Sequence, residues 1–96
     1  MNREEILKKL RSFKNINSTK YGLSSLGLFG SFAREENSPS SDIDLFVKID
    51  TPNPFIIVHM KDDLESIFNM NVDIVRLREN MNPFLKKRIE NEGIYV

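Results

Sequence analysis

The chain has no cysteine, so disulfides and thiolate metal sites are excluded, and a reducing compartment fits that absence. No apolar run approaches the roughly 18 residues of a membrane span. The opening stretch MNREEILKKLRSF carries charges throughout instead of a signal peptide's apolar block. The cytoplasm is the expected location, without membrane contact. Net charge is missing too: 14 Lys plus Arg balance 14 Asp plus Glu, which leaves no global attraction for nucleic acid, and direct nucleic-acid binding is not expected. Repeats, low-complexity tracts and linkers are also lacking. With 96 residues, the expectation is one small domain spanning 1–96 whose modest core needs no staples.

What is present is a regular alternation of helix and strand signals. Asn2 with Glu5 resembles a capping box, and Ile6, Leu7, Leu10 and Phe13 recur at helical spacing, which predicts a helix from Arg3 to Phe13. The polar stretch NINSTKYG interrupts it, with room for one more turn before Gly22. Leu26 to Phe29 reads as a short buried strand ended by Gly30, and SFARE has the helix formers to begin a helix directly afterwards. ENSPSS is a loop by composition. DIDLFVKI alternates from Asp42 to Ile49 as a strand should. Asn53 and Pro54 then open a second main helix whose stripe is Ile57, Met60, Leu64, Ile67 and Phe68, ending near Asn69. NVDIVRL is a β-branched third strand, and Asn82 with Pro83 starts a short helix stopped by Gly93. The order predicts an α/β layer with helices packed on a sheet.

One strand breaks its own pattern. Asp42 and Asp44 occupy same-face positions while Ile43, Leu45 and Val47 take the other face, so two carboxylates stand side by side and need a compensating cation. The third strand repeats the oddity with Asp73 between Val72 and Ile74. If the two strands are neighbours, the three acids form a hard oxygen site suited to Mg²⁺ or Mn²⁺. Mg²⁺ usually completes its octahedron with substrate phosphates, which implies a nucleotide. Gly30 and Ser31 supply the complementary part: a close backbone approach, N–H groups and a hydroxyl forming an anion-binding corner. Such a site with two metal ions favours nucleotidyl transfer.

Gly30-Ser31, ten intervening residues, then Asp42-Ile43-Asp44 matches the GS-x10-DxD signature of the minimal nucleotidyltransferases, in the DNA polymerase beta-like superfamily. YGLSSLGLFGSFAR, SDIDLFV, VDIV and NPFLKKRIENEGIYV extend the resemblance along almost the whole chain. The resemblance implies the nucleotidyltransferase fold, an α/β (α+β) arrangement with a small mixed sheet and helices mainly on one face. It implies that Asp42 and Asp44 are the paired metal ligands and that Asp73 is the third carboxylate, acting with them on the attacking hydroxyl. Gly30 and Ser31 resemble the triphosphate-binding turn, with Arg34 as a further phosphate contact. Where the family usually has glycine this chain has Glu35, an added acid near the nucleotide.

Free-standing members of this length are similar to antitoxins paired with small helical HEPN ribonuclease toxins. The resemblance implies a Mg²⁺-dependent transfer of AMP from ATP onto a toxin tyrosine, silencing it. Two rivals are a non-catalytic antitoxin that masks the toxin by contact, hinted at by Glu35, and the catalytic subunit of a small-molecule nucleotidyltransferase. Other features read as ordinary. His59 is a solvated or packing residue in mid-helix, Lys86-Lys87-Arg88 is a solvated face, Arg76 and Arg78 are the exposed side of a strand, and Tyr95 closes a core.

Overall fold

Three asparagines set where the helices begin in the computed structural model, which describes every residue from Met1 to Val96. Asn2 accepts the Glu5 N–H at 2.9 Å and opens α1, Arg3–Tyr21. Asn53 accepts from Phe55, also at 2.9 Å, and precedes α2, Pro54–Phe68. Asn82 accepts from Phe84 and Leu85 ahead of α3, Pro83–Glu92. Each side chain satisfies first-turn donors that the helix itself cannot reach, and the proline after two of them loses no needed N–H.

The strands are β1, Leu23–Phe29, β2, Ile43–Ile49, β3, Val72–Arg76, and β4, Ile94–Tyr95, laid out in the order β3-β2-β1-β4. β1 is antiparallel to both β2 and β4, while β2 and β3 run parallel through the α2 crossover. The sheet is therefore mixed, as expected. Alternation along β2 sends Ile43, Leu45, Val47 and Ile49 into the larger core with Ile6, Leu10, Met60 and Leu64 of α1 and α2. The opposite face carries Asp44 and Phe46 and receives α3, where Phe29, Phe46, Met81 and Ile89 form a smaller second core. Two helices cover one face and the short α3 part of the other.

Three local expectations change. α1 continues to Tyr21 rather than stopping at Phe13, because the polar stretch still places Tyr21 in the core, stacked on Phe13 at 6.2 Å between ring centroids. Tertiary burial outweighs the weak helix propensity of Asn, Ser and Thr there. β1 starts at Leu23 instead of Leu26, with a register irregularity between Leu23 and Ser25. SFARE does not become a helix. Arg34 donates to the Gly30 carbonyl as one helical turn would, but Glu35 then enters the left-handed region at φ +59° and the segment turns away. The tiny β4 is an addition that a two-residue strand could not announce in the sequence.

Candidate active site

Gly30 sits directly after β1, and its conformation is set by what lies against it. Its φ is +80°, and a Cβ there would fall 2.2 Å from Asp44 Oδ2. Only glycine meets both demands, the left-handed backbone and the missing side chain. The turn and the Asp44 carboxylate are thus in van der Waals contact, although 14 positions separate them in the sequence. The β1–β2 ladder brings this about by pairing Phe29 with Asp44.

On the other side of β2, the parallel register pairs Asp44 with Asp73. Paired residues of neighbouring strands point to the same face, so these carboxylates stand together on the α3 side. Asp44 is half-buried, whereas Asp73 and Asp42, the latter one residue before β2, are exposed. Burial pushes the Asp44 carboxyl above the usual carboxylate range, the negative charge of Asp73 adds to this, and Asp42 adds less; Arg88 and Arg34 pull the other way. No three carboxylate or imidazole groups close into a ready-made cation cage. What the strands present is an open edge of oxygen donors, able to hold a hard cation whose remaining positions belong to water or phosphate.

The phosphate side of the site differs from expectation in two respects. No helix N-terminus follows Gly30, so the N–H groups come from an isolated turn. The Gly30 N–H is also engaged, donating to Glu92 Oε2 at 2.6 Å. Ser31 stays partly accessible and Arg34 exposed. Arg34 Nη1 donates to the same Glu92 oxygen at 2.7 Å, and its Nε lies 3.4 Å from Glu36 Oε2. Glu35 is tied to Arg3 at 2.8 Å and is not among the charges acting on Asp44. Arg88 lies with its guanidinium 5.6 Å from the Phe29 ring centre and 3.6 Å from Glu92. Nothing in the sequence singles out Glu92, and Arg88 reads there as part of a solvated face. Apart from each other, their partners Phe29, Gly30 and Arg34 lie some 60 positions away, and nothing in the α3 pattern distinguishes them from its other charges.

A mixed four-stranded sheet that sets an acidic pair against a Gly-Ser turn defines an enzyme of the nucleotidyl-transferring class. The chain belongs to the nucleotidyltransferase domain family, whose model matches residues 10–96. A Methanocaldococcus jannaschii protein provisionally named protein adenylyltransferase MJ1379 is 40% identical over 95 residues, spanning 96% of this chain and 95% of its own. A minimal nucleotidyltransferase of known structure superposes with a TM-score of 0.78 at 28% identity, over 98% of this chain and 95% of that one. The crystal structure of a toxin–antitoxin with AMP-PNP matches with a TM-score of 0.72 at 27% identity, covering 99% of this chain and 72% of that one.

Proposed function

We propose that the protein is an antitoxin that transfers AMP from ATP, with Mg²⁺, to a tyrosine hydroxyl of a HEPN-family ribonuclease toxin. The observation that carries the chemistry is the contact of the Gly30 turn with Asp44, beside the in-register pair Asp44 and Asp73. The antitoxin role is supported by the adenylyltransferase relative and by the toxin–antitoxin structure with AMP-PNP. Asp42, Asp44 and Asp73 would hold the metal. The donor set is all oxygen, and a half-buried carboxylate pressed by like charges is what a divalent cation relieves. When bound, the metal supplies charge neutralisation at the phosphates and lowers the pKa of the attacking hydroxyl.

The chain's own residues supply the rest. Ser31 and Arg34 hold the β- and γ-phosphates, and Gly30 keeps that turn against Asp44. Asp73, exposed at the sheet edge, takes the proton as the acceptor oxygen bonds to the α-phosphorus and the bond to the β-phosphate oxygen breaks, releasing pyrophosphate. The masking alternative has Glu35 as its hint, and the Glu35 carboxylate is engaged by Arg3 and is not among the charges acting on Asp44. Incubating the protein and Mg²⁺ with α-labelled ATP and the cognate helical toxin is expected to label the toxin. Asp44→Asn should bind the toxin but leave less than about 1% of the labelling rate, the loss typical of a group that acts on the transition state. Inhibition of the toxin by wild type and Asp44→Asn alike, with no label left by wild type, would refute the catalytic role.

A further inference from the structure

Glu92 is the last residue of α3, and a carboxylate at a helix C-terminus faces the negative end of the dipole. Three donors surround it in compensation. Oε2 accepts both the Gly30 N–H and Arg34 Nη1, Oε1 lies near Arg88, and the side chain is only 17% exposed. β4 is too short to reach Gly30: its last pairing is Ile94 with Leu28, so the Glu92 side chain takes the edge N–H that a longer strand would have taken.

The three groups around Gly30 approach from different sides. Asp44 lies where a Cβ would be, and Glu92 lies along the N–H. Arg34 is gripped at Nη1 by Glu92 and at Nε by Glu36, while Nη2 has no partner in the protein. A guanidinium fixed at two nitrogens by carboxylates presents its third in one direction. We propose that Glu92 is a positioning residue for the triphosphate: it fixes the Gly30–Ser31 turn against Asp44 and aims the free edge of Arg34 at the phosphates. This rests on the nucleotidyl-transfer reading above, and it gives the C-terminal segment a role in the site that its solvated appearance in sequence conceals.

The test measures binding of a non-hydrolysable ATP analogue with Mg²⁺ by calorimetry, in wild type, Glu92→Gln, Glu92→Ala and Arg34→Ala. Glu92→Ala is expected to weaken the dissociation constant about tenfold, the effect of losing a charge-assisted hydrogen bond, with the stoichiometry unchanged. Glu92→Gln, whose amide oxygen can still accept from Gly30, should recover about half of that on a logarithmic scale. In the Arg34→Ala background, Glu92→Ala should add only about threefold, the share that runs through the Gly30 turn and not through the arginine. Where the toxin is labelled, the loss should appear in the KM for ATP and not in that for the acceptor. A reduced stoichiometry with an unchanged dissociation constant would show a merely structural role and overturn the proposal. Tighter binding by Glu92→Ala would overturn it too, showing a carboxylate that competes with phosphate. If wild type neither binds nor transfers, the functional reading itself falls; if wild type binds and Glu92→Ala binds equally, only this inference does.

Discussion

At Glu35 the backbone takes φ +59°, a conformation in which a Cβ crowds the following carbonyl and which glycine alone adopts freely. The cost is offset in part by the ion pair with Arg3, whose Nη1 also donates to the Ala33 carbonyl and so ties the start of α1 to the turn. Comparing Glu35→Gly with Glu35→Ala isolates the backbone, because both lose the ion pair. The glycine variant should be the more stable by about 1 kcal/mol in urea denaturation, and equal stabilities would show the turn relaxing around any residue. Gly30 is the opposite case. Gly30→Ala should cost about 2–3 kcal/mol, through the strained φ and the displaced Asp44 carboxylate, and a melting curve within 1 °C of wild type would contradict the packing described. Asp42, Asp44, Gly30 and Ser31 could be singled out from sequence because acids in an apolar alternation and a glycine after a strand are local anomalies. The Glu92 and Arg88 contacts could not, since both residues look like ordinary helix surface and acquire meaning only when α3 folds back across the sheet.

Between elements, the tie that sequence periodicity could not show is the hydrogen bond from Tyr21 at the end of α1 to Asp63 of α2, at 2.5 Å. Burial, and then the bond to Asp63, push the Tyr21 phenol up to about 12. In the unfolded chain it titrates near 10. The neutral phenol therefore contributes its full stabilisation below about pH 10 and loses it as pH rises through about 12, because ionisation is easier once the chain unfolds. Tyr21→Phe should lower stability at neutral pH by about 1 kcal/mol, or about 4–8 °C in melting temperature. Between pH 10 and 12 the wild type should fall toward the variant, whereas parallel curves would mean that Tyr21 is not the titrating group. The same tertiary burial explains why α1 outruns its apolar stripe. Strand identities are easier to read, because Asp44 and Lys48 alternate with Ile43, Leu45, Val47 and Ile49 along β2, and Phe46 breaks the alternation only because the other face meets the second core.

Taken as a whole, the molecule accepts a local electrostatic cost where its chemistry is placed. Asp44 is half-buried with Asp73 opposite it in register, and only Arg88 and Arg34 offer relief. A protein selected for stability alone would place a neutral side chain there. Asp44→Asn removes the repulsion and the desolvation of a charge while keeping the shape, so without divalent cations it should melt about 2–5 °C above wild type, the shift expected for somewhat under 1 kcal/mol in a domain this small. Millimolar Mg²⁺ with an ATP analogue should reverse the order. A ligand that binds only the folded state stabilises it by RT ln(1 + [L]/Kd), about 2.7 kcal/mol at a hundredfold excess over Kd. Wild type should gain that increment and Asp44→Asn little of it. A crossing of the two melting temperatures on addition of metal and nucleotide is the expected signature of an acid kept for binding. If Asp44→Asn is the less stable protein in chelator, the carboxylate is serving the fold through Arg88 and Arg34, and its tension with Asp73 is not the dominant effect.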